Sequence, residues 1–114
     1  MSIFTISIFG SKSFLEIINE IKLFSKFKVK YYEDLNLCVK DAVKQNLLVI
    51  FFVSEENKSF FNENKVSYFP SILISKSSIL KGFFSNEFSE RLSVPFSILE
   101  FEKMVISLIA KNEF

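Results

Sequence analysis

Leu47-Leu48-Val49-Ile50-Phe51-Phe52-Val53 is a run of seven apolar residues. It is too short to cross a bilayer, which takes about 20 apolar residues. It is also too uniform for a strand with one wet face, and it reads as a central parallel strand covered on both sides.

The flanking sequence supplies neighbours for such a strand. On the N-terminal side, Ile3 to Phe9 alternates apolar and hydroxyl residues and Gly10 ends the run, as in a strand. Ser13-Phe14-Leu15-Glu16 has the capping-box pattern, and Phe14, Ile17, Ile18, Ile21 and Phe24 follow at helical spacing. Lys26 to Tyr32 alternates again, with Phe27, Val29 and Tyr31 on one face and Lys28 and Lys30 on the other. That pattern predicts a half-exposed edge strand, where lysines discourage further pairing. Asp34 is placed to cap a helix whose Leu35, Cys38, Val39, Ala42 and Val43 face inward.

On the C-terminal side, Ser54-Glu55-Glu56-Asn57 opens a short helix carrying Phe60 and Phe61. Pro70 starts a buried strand over Ile72 to Ile74, a position where proline is acceptable. Ser75 to Ser78 leads into a helical segment with Ile79, Leu80, Phe83 and Phe84, and Leu92 to Val94 is a last short strand. Ser97-Ile98-Leu99-Glu100 caps a final helix with Phe101, Met104, Val105, Leu108 and Ile109 as its buried stripe. Five strands thus alternate with five helices, without repeat or linker. This alternation predicts one three-layer α/β domain over residues 1–114, with right-handed crossovers. The expected sheet is five-stranded, parallel and doubly wound, in the flavodoxin-like order 2-1-3-4-5.

Composition narrows the function. The chain has 114 residues, 16 of them Phe, with two Gly and two Pro. Abundant Phe, Ile, Lys, Asn and Ser fit AT-rich codons, which accounts for most of the aromatic content. A net charge of +1 with Arg91 as the single arginine leaves no footprint for a phosphate backbone, so no nucleic-acid partner is expected. No apolar run is long enough for a membrane span, and residues 1–10 lack a basic leader and cleavage site. Cys38 is alone and histidine is absent, which removes a disulfide, a cysteine cluster and the commonest general base. A reduced cytoplasmic protein without metal or cofactor is expected, and not an enzyme.

Over nearly the whole chain, and most clearly from Pro70 onward, the sequence resembles the receiver domain of bacterial response regulators. Phe69-Pro70-Ser71-Ile72-Leu73-Ile74-Ser75 is similar to the family's fourth strand, and Leu80-Lys81-Gly82-Phe83 to the helix after it. Arg91-Leu92-Ser93-Val94-Pro95-Phe96-Ser97 is similar to its fifth strand and Pro-Phe corner. The resemblance implies a cis peptide at Val94-Pro95. It also locates the family's chemistry, the transfer of a phosphoryl group to an aspartate that ends the third strand. That acceptor position falls on Phe51 or, with a one-residue slip, Phe52; the Mg²⁺-binding positions fall on Phe9, Gly10 or Ser11. The lysine position is Val94 and the switch aromatic is Arg91, so only the switch hydroxyl, Ser75, is retained.

Without carboxylates, phosphotransfer in the usual mode is not expected. Asp34 and Asp41 belong to the second helix region, and Glu55 and Glu56 serve a helix dipole. Ser75 has a simpler role open to it, as the cap of the next helix. Cys38 reads as a small core residue. The resemblance then implies a pseudo-receiver, lacking the phosphoacceptor, that acts as a phosphorylation-independent protein–protein interaction module. Its partner, or a second copy, would dock on the fourth helix, fifth strand and last helix, through Lys81, Phe84, Arg91, Glu102 and Lys103.

Two alternatives stand beside it. Val66-Ser67-Tyr68-Phe69-Pro70-Ser71-Ile72 is similar to the cis-proline segment of thioredoxin-like proteins, although Gly10 to Ser13 holds no Cys-x-x-Cys. Antiparallel strands would favour that cysteine-free binding fold. The other is a small-ligand site at the carboxyl ends of the strands, lined by Phe9, Phe51 or Phe52, and Ser75. The simpler expectation is that these rings fill the space an acidic cluster would take.

Overall fold

The apolar run places strand β3, Leu48–Phe52, at the centre of a sheet in the computed structural model, which describes residues 5–45, 48–64, 66, 69–82 and 88–112. Leu48, Val49, Ile50 and Phe51 are all inaccessible to solvent. The reason is positional: β3 has a parallel neighbour on each side and helices over both faces.

The other strands are β1 (Thr5–Phe9), β2 (Lys28–Tyr32), β4 (Ser71–Lys76) and β5 (Glu90–Val94). They lie in the order β2-β1-β3-β4-β5, and every pairing is parallel. This is the expected doubly wound topology. A thioredoxin-like sheet requires antiparallel members, and no pairing here is antiparallel among the described residues.

Alternate residues of each strand feed two separate cores. Helices α2 (Leu35–Gln45), α3 (Lys58–Glu63) and the single-turn α4 (Ser77–Leu80) cover Phe9, Val49, Phe51 and Leu73 with Leu35, Cys38, Ala42, Phe61 and Leu80. On the opposite face, α1 (Lys12–Glu20) and α5 (Ile98–Asn112) cover Ile6, Ile8, Ile50, Ile72 and Ile74 with Phe14, Ile18, Phe101, Val105 and Leu108. The α5 stripe is the one its spacing predicts, and Ser97 Oγ accepts from Glu100 N at 3.0 Å as its cap. Asp34 Oδ1 likewise accepts from Asn36 N at 3.0 Å ahead of α2.

Three local expectations are corrected. Helix α1 is capped by Ser11, not Ser13: Ser11 is extended (φ −147°, ψ 117°) and its Oγ accepts from Phe14 N at 3.1 Å. Starting two residues earlier, the helix turns Phe14 and Ile18 onto the sheet and leaves Ile17 43% exposed. It also ends at Glu20, because Ile21 is extended (φ −83°, ψ 119°), and a 3₁₀ turn over Lys22–Lys26 carries Phe24 into the core instead. In α2, Leu35, Cys38 and Ala42 define the buried stripe and Val43 is rotated out, 55% exposed.

A cavity at the carboxyl ends of the strands

Four strands deliver their carboxyl ends to one cavity of about 750 Å³, the position where open α/β sheets bind ligands. Phe9, Gly10 and Ser11 reach it from β1, Phe52, Val53 and Ser54 from β3, Ser75 and Lys76 from β4, and Val94 from β5. Glu33, Glu56, Asn57 and Ile79 complete the wall.

Strand alternation decides between the two phenylalanines. Phe51 is fully buried on the α2/α3/α4 side, with ring centroids 5.1 Å from Phe61, 6.1 Å from Phe88 and 6.2 Å from Phe69. Phe52 points the other way, packs on Phe14 at 5.3 Å and lines the cavity. With Phe9 it forms an apolar wall and leaves the space open.

Gly10 makes this end of the sheet possible. Its φ is +108°, a region L side chains rarely adopt. A Cβ built there would also lie inside the carbonyl oxygen of Phe52. The turn out of β1 therefore packs backbone against backbone, which is how Ser11 reaches its capping position.

The hydroxyls around the cavity hold structure. Ser11 Oγ caps α1, and Ser54 Oγ donates to Asn57 Oδ1 at 3.2 Å while Ser54 N donates to the same oxygen at 2.9 Å. Ser75 is 2% exposed and its Oγ donates to the carbonyl oxygen of Val53 at 2.6 Å. It does not cap α4, whose N-cap is Lys76 without a side-chain bond. No hydroxyl here has a histidine to activate it.

The charges sit at the rim. Glu33 pairs with Lys12 at 3.4 Å with both side chains mostly exposed, a pair that contributes little. Among the described residues no three metal-binding side chains cluster. Cys38 is fully buried under α2, far from reactive: burial, with Asp41 adding, pushes its thiol up to about 12.

The remaining positions named from the sequence fall as follows. The Val94-Pro95 peptide is cis, and Val94, Pro95 and Phe96 border a second, apolar groove with Phe14, Ile17 and Ile98. Arg91 is half-buried on β5 and donates from Nη2 to the carbonyl oxygen of Leu80 at 3.0 Å, tying β5 to the end of α4. Lys81 and Lys103 are exposed and Glu102 is half-buried; Phe84 lies outside the described residues. Helical geometry sets Lys103 nearly opposite the buried stripe of Phe101, Val105 and Leu108. Sequence reasoning missed Gly10's contact with Phe52 and the Tyr32–Asp41 bond, in which Tyr32 Oη donates to Oδ2 at 2.7 Å.

Solved structures similar in fold to this chain include two response-regulator proteins. A receiver-modulated diguanylate cyclase from Pelobacter carbinolicus matches over 96% of this chain and 94% of that one, with TM-score 0.68 and 19% identity. The fold is that of a receiver domain. A chain assigned as a response regulator of Chloroflexus aurantiacus J-10-fl matches over 96% of this chain and 99% of its own, with TM-score 0.67 and 14% identity. No protein-family model matches the sequence, and no curated protein does. The receiver likeness is thus a likeness of fold. Among the described residues, no helix of this receiver-like chain is long and apolar enough to cross a membrane.

Proposed function

We propose that the chain is a pseudo-receiver: a phosphorylation-independent protein–protein interaction module of bacterial signal transduction, cytoplasmic and without enzymatic activity or cofactor. One observation carries the reading. Where strands β1, β3 and β5 end at the cavity, the side chains are Phe9, Phe52 and Val94. A phenylalanine cannot accept a phosphoryl group. Phosphoryl transfer also needs oxygen ligands for Mg²⁺ and a cation to neutralise developing charge. On this reading Phe52 occupies the acceptor position and Val94 that of the lysine.

The two switch positions support a fixed domain. Ser75 is held by Val53 O and Arg91 by Leu80 O. Bonds to backbone carbonyls stabilise one arrangement of β4, α4 and β5 and make no demand for a phosphoryl ligand. Docking is assigned to the face of α4, β5 and α5, with Lys81, Arg91, Glu102 and Lys103, for a protein partner or a second copy. The exposed apolar residues Leu99 (63%) and Ile106 (50%), seven apart on one side of α5, support an interface there. A nucleic acid or membrane partner is not part of the proposal.

The test is incubation with acetyl phosphate and Mg²⁺, followed by intact mass and by NMR shifts at Ser75 and Arg91. An unchanged mass and spectrum are expected; uptake of a phosphoryl group overturns the reading. Self-association is measured separately by analytical ultracentrifugation of the wild type and of Leu99→Glu/Ile106→Glu.

A further inference from the structure

The opposite edge of the sheet carries a second feature. Strand β2 pairs only with β1, and its outward backbone groups have no protein partner among the described residues. The segment Lys22 to Tyr32 contains Lys22, Lys26, Lys28 and Lys30 and no acid. The ion pairs among the described residues are Lys12–Glu33 and Lys58–Glu55, so none of these four lysines is neutralised.

Alternation gives the edge two chemically different faces. Tyr32 belongs to the core under α2, so Lys28 and Lys30 share that face; Phe27, Val29 and Tyr31 pack half-buried against the other core. Helix α2 extends the first face. Asp41 bonds Tyr32, so the flank of α2 bearing Asp41 looks toward β2. Leu37 and Lys44, four before and three after, share that flank, and Leu37 is 47% exposed.

The geometry points to β2 as a docking edge for an extended acidic segment of another protein, added as a sixth strand. Main-chain hydrogen bonds supply the attachment and the alternating side chains supply selection. The matching segment alternates acidic residues, which meet Lys28 and Lys30, with β-branched or aromatic residues, which meet Phe27, Val29 and Tyr31. A second copy of β2 is disfavoured here, since its lysines would stand opposite these. The same charges that repel copies of the chain, and that a neutral strand would desolvate without compensation, thus admit one class of partner. The absence of arginine from this edge and the strand-like spacing of the lysines favour a peptide over a nucleic acid.

The experiment uses the whole chain and a fluorescein-labelled peptide of alternating glutamate and valine, read by fluorescence anisotropy and by NMR shifts at residues 27–32. Three controls accompany it: the peptide N-methylated at alternate backbone amides, its lysine–valine counterpart, and a single-stranded oligonucleotide of equal charge. Saturable binding with shifts confined to β2 and α2 is expected, weakened at least tenfold by N-methylation. Lys28→Glu/Lys30→Glu should transfer binding to the lysine–valine peptide. No binding by the wild type overturns the proposal, as does equal binding of the N-methylated peptide or of the oligonucleotide. The N-methylated arm needs only wild-type protein, so the test does not depend on the variant's folding.

Discussion

The hydroxyl of Ser75 at the end of β4 donates a 2.6 Å hydrogen bond to the carbonyl oxygen of Val53, just beyond β3. The backbone N–H of Val53 donates in turn to Ile74 O at 3.0 Å, so the two strand ends are tied twice. Both Ser75 and Val53 are buried. Ser75→Ala should therefore destabilise the fold by about 1–3 kcal/mol, the cost of leaving a buried acceptor without its donor. Urea unfolding of the two proteins measures it. If the loss is negligible, Ser75 is not a structural tie.

Gly10 has the least tolerant backbone position at the cavity. Its φ of +108° and its contact with Phe52 O act against any Cβ. Gly10→Ala should cost more than about 2 kcal/mol, since strain and displacement of β3 add. Gly82→Ala is the control, because there a Cβ clashes with the flexible end of Lys58 and lies at ordinary contact distance, 3.5 Å, from Ile79 O. Thermal melts should separate the two variants clearly.

Much of this architecture was legible in the sequence, because strand and helix periods are local properties. The apolar run appears as β3, the α5 stripe is buried as its spacing predicts, and the lysine alternation appears as β2, shortened to Lys28–Tyr32 because Lys26 belongs to the preceding 3₁₀ turn. Errors arose where tertiary contact overrides local pattern. Ser13 and Glu16 have the spacing of a capping box, yet Ser11 is the cap because the Gly10 turn packed on Phe52 O presents it there. The register of the cavity was ambiguous by one residue, and a one-residue slip reverses every side chain of a strand. Only pairing with β1 and β4 could place Phe51 inside and Phe52 at the cavity.

Alkaline conditions should destabilise the domain through two groups under α2. Burial, then Asp41, pushes Cys38 up to about 12 from 9.0. Burial, then the hydrogen bond to Asp41, pushes Tyr32 up to about 12 from 10.0. In both cases the folded state holds its proton more tightly than the unfolded chain. Their contribution is complete below pH 9.0 and is lost progressively as pH rises toward about 12. Unfolding free energy should fall across that window, and Cys38→Ala should flatten its lower part. A flat profile in the wild type would remove the argument.

The neighbouring phenylalanines provide the sharpest contrast. Phe51 is enclosed by Phe61, Phe69 and Phe88, whereas Phe52 is half-buried at the cavity. Phe51→Ala should cost about 3–5 kcal/mol, as large-to-small changes at enclosed aromatic sites do. Phe52→Ala should cost distinctly less, since its contacts are fewer and the vacated space joins an open cavity. Aspartate separates them further. At Phe51 a carboxylate would be buried without a partner, and the domain should fail to fold. At Phe52 the carboxylate would reach solvent through the cavity, and a folded protein is expected. Circular dichroism and the urea midpoint of the four variants decide it, and equal behaviour at the two positions would contradict the strand register described above.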